Sequence, residues 1–122
     1  GKISNEGNII RLTKLDNVNF KKKINIMKID VEGHELEVIN GSLKIIKNDV
    51  PFILLEYNQK NFNEILNILK KLNDYEHLYI DDKNKKIFND NEISKKDDFN
   101  GNVFFYQKNQ FKKFNSIFSE YI

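Results

Sequence analysis

The sequence predicts an α/β domain in which a parallel βαβα core is followed by antiparallel strands. Short apolar runs rich in β-branched residues alternate with segments whose apolar residues recur at helical spacing. Two strand–helix pairs follow one another in the middle of the chain, and such connections call for parallel strands with right-handed crossovers. The length of 122 residues is that of a single domain.

The elements can be assigned in order along the chain. Alternating residues over 8–15 predict a short strand, and the apolar run 24–31 predicts a strand covered on both faces. After Gly33 the apolar residues recur at helical spacing. Asn-Gly-Ser over 40–42 interrupts this pattern, and we expect the helix to kink or restart there. The other predicted elements are a strand over 52–56, an amphipathic helix over 62–72, strands over 75–80, 86–88 and 103–106, and a C-terminal helix over 110–122.

The composition excludes several classes of protein. The chain has no Cys, which excludes disulfide scaffolds, Cys-based zinc sites and thiol nucleophiles. Twenty basic and 18 acidic residues leave a formal charge of +2, too balanced to demand nucleic acid or an anionic membrane as partner. Since no apolar run is long enough to span a membrane and no signal peptide opens the chain, we expect a cytoplasmic domain.

The glycines form no phosphate-binding motif. The chain has five of them, and no pair forms a GxGxxG turn or a Walker loop. A nucleotide-type cofactor would therefore need a binding loop from elsewhere.

Charged side chains gather where the 24–31 strand ends. Strand alternation places Lys28, Asp30 and Glu32 on one face. Three charges on a buried strand cost desolvation free energy unless they pair with opposite charges or have a functional role. The carboxyl ends of strands are where ligands bind in open α/β sheets. A structural ion pair between Lys28 and Asp30 is the alternative.

The next residues extend this cluster. Gly33 permits a tight turn, His34 and Glu35 open the following helix, and Glu56 ends the next strand at the same edge of the sheet. We therefore expect a crevice that contains Asp30, Glu32, His34 and Glu56. Glu35 at a helix start has an alternative role in favouring the helix dipole. His77, on a late strand, is interpreted as an ordinary surface or packing residue.

Two stretches resemble a known family. Met-Lys-Ile-Asp-Val-Glu-Gly-His-Glu-Leu-Glu-Val-Ile-Asn-Gly-Ser over 27–42, followed by Pro-Phe-Ile-Leu-Leu-Glu over 51–56, closely resembles the hallmark of the FkbM-family methyltransferases. Leu-Thr-Lys-Leu-Asp over 12–16 is similar to the short "LD" segment that precedes it. The resemblance covers roughly residues 9–60.

The resemblance implies a Rossmann-like class I methyltransferase fold that uses S-adenosylmethionine to methylate a hydroxyl on a sugar or natural product. The strands 24–31 and 52–56 would be the fourth and fifth of the sheet, and the final strands an antiparallel edge pair. The family's first strand and glycine-rich loop are expected upstream of residue 1. Residues 1–122 would then be one partial domain, the C-terminal half, inactive alone and with its main cofactor contacts elsewhere.

Transfer to a hydroxyl benefits from a general base, since a hydroxyl is a poor nucleophile at neutral pH. His34, Asp30 and Glu32 are the candidate catalytic residues, and Glu56 and Glu35 are candidates for holding the small-molecule acceptor. No metal ligand is assigned. Alone, the chain is expected to self-associate through the exposed strand edge or the Phe-rich face of 111–121. Two alternatives remain: a non-catalytic partner-binding module that uses this tail, and a divalent-metal phosphodiesterase that uses Asp30, Glu32 and Glu56.

Overall fold

The computed structural model describes residues 2–5, 8–11, 15–94 and 99–110. Near the start of the chain, β1 (Lys2–Asn5) and β2 (Asn8–Arg11) pair with each other as a two-stranded antiparallel sheet. Of the strand predicted over 8–15, Asn8–Arg11 is confirmed, whereas Leu15 belongs to a 3-10 turn, Leu15–Asn17. The predicted C-terminal helix lies beyond the described residues, apart from Gln110 in a 3-10 turn.

The rest of the described chain is a five-stranded mixed sheet with four helices. The strands are β3 (Ile26–Ile29), β4 (Phe52–Glu56), β5 (Glu76–Asp81), β6 (Lys86–Phe88) and β7 (Asn102–Tyr106), in the spatial order β3-β4-β7-β5-β6. The helices are α1 (Glu35–Asn40), α2 (Leu43–Asp49), α3 (Phe62–Asn73) and the short α4 (Asp90–Ile93). The predicted α/β class is therefore confirmed.

Strands β3 and β4 are adjacent and parallel, as predicted, with Ile26 opposite Phe52 and Ile29 opposite Leu55. All later pairings are antiparallel. The predicted edge pair is formed by β5 and β6, whereas the last strand, β7, lies in the interior between β4 and β5. Residues 103–106 of β7 are all buried, and an apolar run that has no polar face suits a central strand.

Strand β3 is not covered on both faces, so that prediction is wrong. Met27 and Ile29 are buried, but Ile26 is 58% exposed and Lys28 is exposed. The helices cover the face that carries Met27 and Ile29, whereas the apolar cluster on the other face of the sheet includes no residue of β3.

The main core lies between the sheet and helices α1 to α3. Ile39, Ile46, Ile65 and Leu69 of these helices pack with the odd-numbered side chains of β3 and β4 and with Val103 and Phe105 of β7. A second apolar cluster of Phe52, Ile80, Phe104 and Tyr106 occupies the opposite face of the sheet. Among the described residues, no helix has the length and apolar character needed to traverse a bilayer.

The predicted restart at 40–42 is confirmed, and Asp16 explains how the second helix begins. The Ser42 hydroxyl donates to the Val38 carbonyl at 2.7 Å, and its side chain makes no capping hydrogen bond to α2. The Asp16 carboxylate instead accepts from the main-chain amides of Lys44 and Ile45, each at 3.0 Å. The "LD" aspartate is thus a helix cap supplied from 28 residues earlier in the chain.

We expect Asp16→Ala to lower the free energy of unfolding by about 1–2 kcal/mol, because two amides at the start of α2 lose their acceptor. Urea denaturation measures the change. Asn17→Ala, at the exposed neighbouring position, is the control and should change the free energy by less than about 0.5 kcal/mol. Equal effects of the two substitutions would contradict the capping role.

Candidate functional site

The site is built where β3 and β4 end side by side. Because these strands are parallel and in register, residues 30–34 and 57–61 leave the sheet at the same edge. After β3 the chain turns sharply at Gly33, whose φ is +76°, and the His34 amide donates to the Val31 carbonyl at 2.9 Å. Glycine suits this turn because other residues are strained at positive φ.

A cleft of about 610 Å³ lies at this edge. Its lining includes three carboxylates, those of Glu32, Glu35 and Glu56, together with Tyr57 and Phe99. No described residue that lines it carries a basic side chain. We refer to it as the acidic cleft.

Glu35 differs from the other two carboxylates because it is buried. It is the first residue of α1 and only 1% exposed. Asn61 Nδ2 donates to Glu35 Oε1 across a long 3.4 Å, and Oε2 has no hydrogen-bond partner among the described residues. The helix dipole favours a carboxylate here, yet a buried carboxylate oxygen without a partner costs free energy. Glu35 therefore contributes to the lining of the acidic cleft a carboxylate with one oxygen that is buried and has no partner among the described residues.

Tyr57 and Phe99 form the aromatic side of the acidic cleft. Their ring centroids are 5.6 Å apart, and Tyr57 also packs against Phe62 at 5.2 Å and Tyr79 at 5.9 Å. The Tyr57 amide donates to the Gly101 carbonyl at 2.9 Å. These contacts fix the wall in place, and an aromatic wall beside carboxylates suits a ligand with both an apolar ring face and polar groups.

Ile93 at the end of helix α4 and Ser94 directly after it line the acidic cleft, and Asp90 holds the helix against the sheet. The Tyr79 hydroxyl donates to Asp90 Oδ1 at 2.8 Å, and His77 Nε2 lies 2.9 Å from the same atom. Although partial burial acts in the opposite direction, the hydrogen bonds with His77 and Tyr79 hold the pKa of Asp90 below its usual value. Burial, followed by the hydrogen bond to Asp90, raises the pKa of Tyr79. His77 is 6% exposed and contacts aromatic rings, so its predicted packing role agrees with its placement.

A second cleft of about 300 Å³ lies on the sheet face opposite the helices. Its lining includes Lys28, Asp30, Glu56 and Asn102. Asp30 lines this cleft and not the acidic cleft, whereas Glu56 lines both.

The predicted crevice residues are therefore divided. Glu32 and Glu56 line the acidic cleft, whereas Asp30 and Glu56 line the second cleft. His34 lines neither; its side chain is 64% exposed, with Nδ1 3.2 Å from Glu37 Oε2. The described residues include no group of His, Asp and Glu that could hold a metal ion.

A third, more apolar cleft of about 310 Å³ follows β3 along its outer side. Its lining includes Phe20, Ile24, Met27, Ile29 and Asp30.

Sequence reasoning missed Tyr57, Asn58, Asn61 and Phe99, which line or support the acidic cleft. A signal for the first two was present, because they follow Glu56 directly at the end of a strand. Phe99 is contributed by the connection between α4 and β7, and no local pattern marks it.

One comparison with known proteins places the chain in a family. The family model described as Methyltransferase FkbM domain matches residues 4–79, more than half of the chain. No curated protein and no solved structure matches. The matched span contains β3, α1, α2, β4 and α3, and with them Glu32, Glu35 and Glu56. The chain therefore belongs to the FkbM methyltransferase family.

Proposed function

We propose that this chain supplies the acceptor-binding part of an S-adenosylmethionine-dependent O-methyltransferase that acts on a hydroxyl of a sugar or natural product. Membership of the FkbM family supports methyl transfer in general. The observation that carries the proposal is the acidic cleft, whose lining includes Glu32, Glu35 and Glu56, at the carboxyl edge of two parallel strands. Ligands of open α/β sheets bind at such edges.

We also propose that the fold is the C-terminal half of a Rossmann-like class I domain, with β3 as the fourth strand and β4 as the fifth. The parallel β3–β4 pair with its helices on one face supports this assignment, and so does the antiparallel addition of β7, β5 and β6. The outer side of β3 would then face the strand that the family places upstream.

The residues of this chain do not fit S-adenosylmethionine as a complete site. The sequence has no glycine-rich turn that could approach a nucleoside or carboxylate closely. The apolar cleft along β3, with Met27, Ile29 and Asp30, could form one wall of a cofactor site but does not enclose a cofactor. We therefore propose that the cofactor is held by other residues of the full-length enzyme and that this chain alone is inactive.

In the acidic cleft we propose that Glu32 accepts the proton of the acceptor hydroxyl. It is the one member of the candidate set His34, Asp30 and Glu32 that lines this cleft, and a general base has to lie within hydrogen-bond reach of the proton it accepts. Glu35 and Glu56 would accept hydrogen bonds from other donors of the acceptor. The rings of Tyr57 and Phe99 would pack against its apolar face.

Calorimetry with S-adenosylmethionine tests whether the cofactor is held by residues outside this chain. We expect no measurable heat of binding with the 122-residue chain and clear binding with the full-length product of its gene, because the chain lacks a glycine-rich turn that could approach the nucleoside closely. Tight binding of the cofactor by a monomer of residues 1–122 would contradict the proposal.

We further propose that the isolated chain self-associates through the outer side of β3. Ile26 is 58% and Phe20 43% exposed there, and an unpaired strand edge with exposed apolar side chains favours pairing with another chain. Ultracentrifugation should show concentration-dependent dimers that Ile26→Lys weakens.

The alternative surface, 111–121, lies outside the described residues, so the partner-binding alternative gains no support. The phosphodiesterase alternative gains none either, since no metal-binding group is found in the described part of the chain.

A further inference from the structure

The charge of the acidic cleft restricts what it can bind. The charged groups among its described lining residues are those of Glu32, Glu35 and Glu56, all of them carboxylates. Like charges that share one site repel each other, and they also repel an anionic ligand. The described lining of this cleft therefore disfavours a phosphorylated or carboxylated compound.

The buried carboxylate adds a more specific requirement. Glu35 is 1% exposed, its Oε2 has no partner among the described residues, and its Oε1 receives one long hydrogen bond from an amide, that of Asn61. An amide donor supplies no charge to offset the carboxylate. A hydroxyl donor would complete the hydrogen bonding of Oε2 but would leave the buried charge uncompensated.

An ammonium group would satisfy both requirements. It donates a charge-assisted hydrogen bond, which is shorter and stronger than a neutral one, and it neutralises the carboxylate. The neighbouring rings of Tyr57 and Phe99 tolerate a cation, because their faces are negative.

We propose that the acceptor of this site carries an ammonium group in addition to its hydroxyl, as amino sugars and amino alcohols do, and that Glu35 binds the ammonium group. This inference rests on the proposed function, since it names the substrate class of the same site. Glu35 is then a substrate-binding residue that selects by charge.

The test compares three sugars of similar shape and different charge. D-glucosamine, D-glucose and D-glucuronate are titrated into the full-length gene product and followed by NMR chemical shifts. We expect D-glucosamine to bind at least about tenfold more tightly than D-glucuronate, with D-glucose between them. Glu35→Gln should reduce this preference to within about threefold. Glu37→Gln is the matched control: it removes an exposed carboxylate of the same helix outside the cleft and should leave the preference unchanged.

Equal or reversed affinities of the three sugars, or binding of none of them, would overturn the inference. So would a preference that survives in Glu35→Gln or disappears equally in Glu37→Gln. If Glu35→Gln does not fold, the order of affinities of the unmodified protein decides. Methyl transfer to hydroxyl acceptors without preference for an amine would overturn this inference alone. Ammonium binding at Glu35 without methyl transfer would overturn the proposed function instead.

Discussion

Glu32→Gln is expected to lower kcat of the full-length enzyme by about two to four orders of magnitude, the usual contribution of a general base. The amide keeps the shape of the side chain and its place in the acidic cleft but cannot accept the proton of the acceptor hydroxyl. The KM for the acceptor should change little.

Two substitutions in the same motif serve as controls. His34→Ala removes a side chain that is 64% exposed, and Asp30→Asn changes one in the opposite cleft. Both should leave kcat within about threefold of the unmodified enzyme, since neither side chain lines the acidic cleft. A loss of two or more orders of magnitude in His34→Ala across neutral pH, with Glu32→Gln active, would assign the base to His34.

Gly101→Ala is expected to lower the free energy of unfolding by about 2–4 kcal/mol. A Cβ at this position would lie 2.4 Å from the Ile80 carbonyl oxygen and 2.6 Å from Phe99 Cζ. The carbonyl belongs to β5, which pairs with β7, so the clash cannot be relieved without disturbing the sheet. Displacement of Phe99 would also distort the aromatic wall of the acidic cleft.

Gly33→Ala is the comparison for urea denaturation. Its Cβ would meet nothing within 4 Å, but the φ of +76° strains any other residue. Its cost should be about 1 kcal/mol, clearly less than that of Gly101→Ala. A larger loss at Gly33 than at Gly101 would contradict the close approach of β5 and residue 101.

Much of the fold could be predicted because its signals are local. Strand β4 occupies 52–56 and β6 occupies 86–88 as predicted, since apolar runs between turn residues identify strands. The break between α1 and α2 follows from Gly41 and Ser42. The central position of β7 depends on pairing across the sheet, which no local pattern specifies. Helix α4 was not predicted although it has a local signal, the capping box of Asn89 and Glu92, and β1 was not predicted either.

The positions of the site's side chains were predicted correctly only as far as the regular geometry of β3 continues. Asp30 continues the alternation of β3 and stays on the face of Lys28, as expected. Glu32 was expected on that face too, but regular alternation ends with the strand at Ile29, and Glu32 lines the acidic cleft instead. The turn at Gly33 then directs His34 to the surface and buries Glu35. Such orientations after a turn are set by backbone dihedrals that the residue types do not specify.

A crystal structure of the full-length enzyme with an acceptor that it methylates would show which cleft holds the acceptor. We expect it in the acidic cleft, with its reacting oxygen within about 3.2 Å of a Glu32 carboxylate oxygen. An acceptor bound in the second cleft, against Asp30 and Asn102 on the opposite face of the sheet, would contradict this expectation.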